Sequence, residues 1–446
     1  MGRASWPRLA PAVDDRRMGV LSEQAAVRRL WDRFGFGAAP GDLTRPFDET
    51  LDRLLGAPAG GGTAPPELPV TTKPPKDDQQ ARKTANKQRA AQEKQLAAWW
   101  LDRMVTTQGA DVTAERMTWF WHGHFATSAQ KVKVPALMLK QNQTFRQRGL
   151  GSFTDLARTL VVDPAMILWL DGDDNTTGAA NENLAREFME LFSLGVGHYS
   201  ETDVREAARA LTGWTVNRAT GATKLVPKRH DDGPEEILGE RAQFSAESFV
   251  DHVLERPESA PFVVGRLWFR LVSSTPPDKD TLDGLVGAYG TNRDIRAVLR
   301  AVAGTSAFRD DRTTLVKQPV EWLAGLLRAA GLRPSTLDDG VSTKLYQGLV
   351  ALGQVPFRPP SVGGWPAGAA FLTTAAGLTR LRIAQLVAKT ADLSTVSGKD
   401  PVEAVRVLLS VDAFSDRTRA ALGKVAANPA QVTALAACAP EYVVSG

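Results

Sequence analysis

The sequence predicts a mainly α protein, with many helices around a single globular core and a small irregular or two-stranded β insertion near 214–240. Three observations predict it. Apolar residues recur at helical spacing through most of the chain, separated by short polar loops. Helix ends are marked chemically: Ser200 and Asp203 form a capping-box pattern, and Gly195, Gly213, Gly331 and Gly353 stand where a left-handed C-terminal residue is wanted. No repeat of fixed period points instead to a solenoid.

In chain order, residues 1–21 are expected to be a flexible N-terminus and 22–446 one helical domain. Ser22 caps a first helix carrying Ala26, Leu30 and Phe34, which Gly35 and Gly37 end. A short helix follows from Asp48 to Leu55. Residues 56–76, with Gly60-Gly61-Gly62 followed by Pro65, Pro66, Pro69, Pro74 and Pro75, bury too little apolar area to fold alone and read as a linker. Asp77–Glu93 is polar with good helix propensity, the solvated start of a long helix that becomes buried at Leu96, Trp99, Trp100 and Met104. Further helices are expected at Thr113–Phe125, Pro135–Arg148, Ser152–Asp163, Asn181–Leu194 and Ser200–Leu211, and then from Ala246 through Ala391. Between Trp214 and Ile237 the helical pattern lapses, and Thr220-Gly221 fits the turn of a two-stranded ribbon.

Composition narrows the class. With 43% hydrophobic and 23% charged residues a sizeable core is available. The net charge of +4, from 54 basic and 50 acidic residues, is too small and too dispersed to predict a nucleic-acid partner. A single cysteine, Cys438, excludes an intrachain disulfide and a cysteine zinc site. No apolar run reaches the roughly 20 residues of a membrane span. Arg16-Arg17 is followed by no apolar stretch, since Glu23 interrupts it, so no export signal is read and a cytoplasmic location is expected. Phosphate-loop, dinucleotide, zincin and serine-elbow motifs are lacking.

Several segments are familiar in order. Trp121-His122-Gly123-His124-Phe125, Asn181-Glu182-Asn183-Leu184-Ala185-Arg186-Glu187 running on to Gly197, Tyr199 through Trp214, His230-Asp231-Asp232-Gly233, Lys317-Gln318-Pro319-Val320-Glu321 and Pro359-Pro360-Ser361-Val362-Gly363-Gly364-Trp365-Pro366 together resemble the domain-of-unknown-function 1800 family, from about Ser22 onward. Gly123 and Ser361 replace asparagines of those motifs. The resemblance implies the fold. It also implies a setting: many relatives are exported, and they are commonly encoded beside a sulfatase-like family of unknown function numbered 1501, a candidate partner.

The residues that stand out for chemistry lie in those motifs. On a helix, Leu184, Phe188, Leu191 and Phe192 make a core-facing stripe, while Asn183, Glu187 and Glu190 share another face beside Arg186. The functional reading is a site with Glu182, Glu187, Glu190 and Arg186 catalytic, one carboxylate carrying a raised pKa, and Asn181 and Asn183 binding substrate. The structural reading is an Arg–Glu network that fixes helix packing. His122 and His124 on a helix point about 200° apart and cannot chelate one ion there. On an extended segment they would suit a divalent metal, although a buried histidine bonded to a helix carboxylate is favoured. His230 and Asp231 lie in the least regular stretch and read as base and acid or as turn residues. Trp214 and Trp365 offer flat faces for a sugar or peptide, or simply core. Two functions follow. One is a hydrolase-like enzyme using a His/carboxylate cluster on a glycan or other envelope polymer. The other is a non-catalytic helical binding or scaffold protein partnering the sulfatase-like neighbour.

Overall fold

A computed structural model describes residues 19–39, 41–69 and 77–446. Arg16 and Arg17 lie outside these residues, as does the end of the expected linker. Residues 19–21 are held in place rather than loose: Val20 bridges Asp310, and Leu21 N donates to Arg309 O at 2.9 Å.

The architecture is helical, with three two-stranded antiparallel ribbons among the described residues. The expected ribbon pairs Trp214–Asn217 with Ala222–Leu225. Two others were not foreseen: Glu235–Ile237 with Glu240–Ala242, and Leu315–Val316 with Val444–Ser445 at the C-terminus. No described helix is long and apolar enough to cross a membrane.

The core is organised around helix Ala110–His124. Its apolar residues Met117, Trp119, Phe120 and Trp121 are buried, and so are Glu115, Arg116, His122 and His124. A helix covered on all sides must satisfy its polar groups internally. Glu115, with no exposed side-chain surface, accepts from Arg103 Nε at 2.6 Å, Arg146 Nη2 at 2.8 Å and Trp100 Nε1 at 3.0 Å. One carboxylate thereby ties helices Gln79–Thr106, Ala110–His124 and Pro135–Arg148 together. Arg103 reaches further, donating to Gly61 O at 2.6 Å and Thr63 O at 2.9 Å. Gln92 Nε2 donates to Pro69 O, and Gly60 N donates to Asp111 Oδ1. The described part of the Gly/Pro-rich stretch is therefore a strap pinned along the long helix.

The expected Ser152–Asp163 helix ends earlier, at Val161, because Asp163 caps a new helix, Pro164–Trp169. Asp163 Oδ1 accepts from Gln141 Nε2, Ala165 N and Met166 N at 2.8–3.0 Å. Burial outweighs these donors and pushes the carboxyl up to about 7. All three donors point at one oxygen, so the other oxygen can carry the proton. The folded group then keeps its proton to about pH 7, whereas an unfolded Asp loses it near 4, so folding takes up a proton in that window. Stability should fall as pH rises from about 4 to 7. Asp163→Asn keeps the accepting oxygen and should flatten that slope, matching the wild type at pH 4 and exceeding it at pH 8 by up to about 4 kcal/mol. Thermal unfolding at the two pH values checks this. A variant less stable than wild type at pH 8 would mean that burial does not hold the folded carboxyl above its unfolded value.

Candidate functional site

The signature segment begins with an Asx turn. Asn181 N donates to Asn175 Oδ1, and Asn181 Oδ1 accepts from Asn183 N at 3.0 Å. The Asn181 side chain is thus spent on the backbone, while Asn183 is exposed. Helix Asn183–Glu187 then widens into a π-helix, Phe188–Ser193, with Leu194 N bonded to Met189 O. The wider turn changes which residues face inward. Leu184, Phe188, Met189 and Phe192 are buried, and Leu191 of the expected stripe is only half-buried.

The polar face divides in two. Arg186 joins Glu182 and Glu201, each at 2.8 Å, in a largely solvent-exposed triad whose carboxylates tighten the guanidinium's hold on its proton. This part is an ion-pair network. Glu187 and Glu190 form the other part with Tyr199, whose hydroxyl donates to Glu190 Oε2 at 2.6 Å. Half-burial first, and the neighbouring Glu190 second, hold the Glu187 carboxyl above its usual range. Tyr199 is likewise pushed up, by burial and then by its bond to Glu190.

The histidines lie elsewhere. His124 Nε2 donates to Phe192 O at 2.9 Å, a backbone carbonyl where a carboxylate was expected. His122 packs among Trp100, Phe145, Phe357 and Trp365, whereas His124 packs among Phe120, Trp121, Phe125, Phe153, Phe192 and Phe262. The two rings share no aromatic neighbour. Burial lowers both to about 3, aided at His124 by Arg266 and Arg270, so both are neutral. The helix turns them apart, and no group of three His, Cys, Asp or Glu among the described residues is placed to hold a metal ion.

His230 and Asp231 sit on the ribbon side. His230 Nδ1 donates to Thr212 O at 3.0 Å, and Asp231 takes Arg209 Nε at 2.9 Å and Nη2 at 3.2 Å, which holds its carboxyl low. Beside them an open depression of about 470 Å³ is lined by Ser200, Asp203, Glu206, Arg209 and Arg241, among others. Two of its carboxylates are engaged: Asp203 accepts from Ser200 N and Leu238 N, and Glu206 from Arg209 Nη1 and Glu236 N. Together they fasten the second ribbon to helix Glu201–Ala210. His252 joins in by bonding Ile237 O and lying 3.0 Å from the Glu240 carboxylate. Trp214 is half-buried within its ribbon, and Trp365 is buried, stacked on Trp119 with centroids 4.8 Å apart. Trp365 therefore presents no open stacking face. The two tryptophans are not brought to one cleft.

A family model described as a protein of unknown function (DUF1800) matches residues 29–444. The chain belongs to the DUF1800 family. No curated protein and no solved structure matches it. The match agrees with the motifs from Trp121 to Pro366 and carries an architecture without a reaction.

In this DUF1800 chain three motifs meet at a place that sequence reasoning missed. A hollow of about 20 Å³ lies between Arg116, Gly123, Arg270, Gln318, Glu321 and Trp365. Arg116 and Glu321 form a buried ion pair at 2.6 Å, and Glu321 Oε2 accepts from Gln318 N at 3.1 Å. Arg270 Nη2 donates to Trp365 O at 2.8 Å. The one signal in the sequence was a pair of arginines, Arg266 and Arg270, one turn apart on an otherwise apolar helix.

Proposed function

We propose that this protein is a non-catalytic helical binding protein, with the sulfatase-like protein encoded beside its relatives as partner. One observation carries the reading: the groups expected to form a single site are divided among three places. Two imidazoles are neutral and dry, His230 and Asp231 hold a ribbon, and Arg186 binds two carboxylates. Exposed apolar residues on packed C-terminal elements, Val350, Leu372 and Leu378, add surface that a partner would cover. Mixing the purified proteins should give a co-eluting complex on size exclusion. Separate elution at concentrations well above micromolar would sink the partner assignment.

A second reading has its own support. Glu187, with a raised pKa, stands beside Glu190 and Tyr199 where helix Asn183–Glu187 widens into a π-helix, a feature often found where function is. A carboxylate pair of this kind suits acid–base hydrolysis of a glycan. Glu187→Gln separates the readings. In the binding reading the variant keeps complex formation and a melting temperature within a few degrees of wild type, because a half-buried carboxylate without a hydrogen-bond partner among the described residues is removed. In the hydrolytic reading, release of reducing ends from a cell-envelope glycan would be seen with wild type and lost with the variant.

A further inference from the structure

The hollow beside Trp365 takes no part in either reading above, and the inference drawn from it stands independently of both. Its charges do not balance. Glu321 is paired with Arg116 and is also the one carboxylate acting on Arg270, so it serves two guanidiniums, while Arg266, one turn earlier on helix Ser259–Leu271, forms no salt bridge among the described residues. Both are held below the usual guanidinium range, by burial first and, for Arg270, by Arg266 second. Like charges four residues apart on a helix repel, and removing them from water adds to the cost. An anion in the hollow would offset both.

The donors are in place. Gln318 Oε1 already accepts from Gln354 Nε2, which leaves its amide N–H groups for a ligand. The indole N–H of Trp365, a residue of the hollow's wall, is buried without a hydrogen-bond partner among the described residues. A volume of about 20 Å³ exceeds the roughly 10–15 Å³ that one water requires, so a small polar group fits. Gly123 supplies the room: a Cβ there would meet only the Trp365 ring, at 3.8 Å.

We propose that this hollow binds the carboxylate of a small monocarboxylate ligand, held by Arg270 and Gln318 against Trp365. Calorimetric titration of the full chain with propionate, in chloride held constant, tests it. Saturable binding is expected with propionate and none with propionamide, its neutral counterpart, or with inorganic phosphate. Arg270→Gln should weaken binding about tenfold or more, the loss of a charge-assisted hydrogen bond. Because Arg270 also pins the Trp365 loop, Gly123→Asn provides the second variant. It fills the hollow from a helical position where glycine is the poorer helix former, so the melting temperature should not fall while propionate binding disappears. Absence of saturable heat with wild type, equal binding of propionamide or phosphate, or undiminished binding by a folded Gly123→Asn protein would each overturn the assignment.

Discussion

Glu115→Ala should destabilise the protein by about 3–5 kcal/mol, the cost of breaking a buried ion pair from one side. The carboxylate has no exposed surface, and its arginine partners retain only 8% and 15% of theirs. Without it, two guanidiniums face each other in the core, and the Trp100 indole N–H loses its acceptor. The damage would spread along the chain, since Arg103 also holds Gly61 O and Thr63 O. Urea unfolding should show the loss, and amide exchange should quicken in residues 60–69 before it does elsewhere. Glu115→Gln keeps one oxygen for the arginines and should fall between alanine and wild type. A loss below about 1 kcal/mol for alanine would mean that water or rearranged carbonyls replace the carboxylate.

This keystone shows where sequence reading stops. Helix ends carrying their own chemistry were legible: Pro135–Arg148 falls at the expected bounds, and the Ser200/Asp203 capping box forms. So was the Trp214–Leu225 ribbon, marked by its Thr-Gly turn. Each of these depends on residues a few positions apart. The π-helix at Phe188–Ser193 was not legible, because the same side chains suit either helix type and tertiary packing decides between them. Nor was the fate of the polar residues. Spacing placed Glu187 and Glu190 together correctly, but it could not say that Arg186 turns outward to Glu201 or that Asp231 is taken by Arg209. The aromatic run around His122 and His124 did signal burial, and burial holds both imidazoles neutral. The Arg116–Arg270–Glu321 hollow joins three helices far apart in sequence, so no local pattern announces it.

Gly364→Ala should be the most damaging of the glycine substitutions at positive φ, costing more than about 3 kcal/mol, beyond the usual range for a single change. Gly364 has φ +78°, and a Cβ there would lie 2.2 Å from the Gly123 carbonyl oxygen. Gly331 and Gly353, at φ +65° and +73°, would place a Cβ with nothing within 4 Å of it and serve as controls. Their alanine variants should lose only the roughly 1–2 kcal/mol of the left-handed backbone. The excess at Gly364 measures how closely the Pro359–Pro366 loop lies against the end of helix Ala110–His124. Backbone atoms cannot yield as a flexible side chain can, so the loop itself must shift. Trp365 would then leave Trp119, with altered near-ultraviolet circular dichroism, and propionate binding at the hollow would be lost with it. Equal losses at all three glycines would show that the two backbones are not in contact. In that case neither the Trp119–Trp365 stack nor the hollow it walls would have the geometry on which carboxylate binding depends.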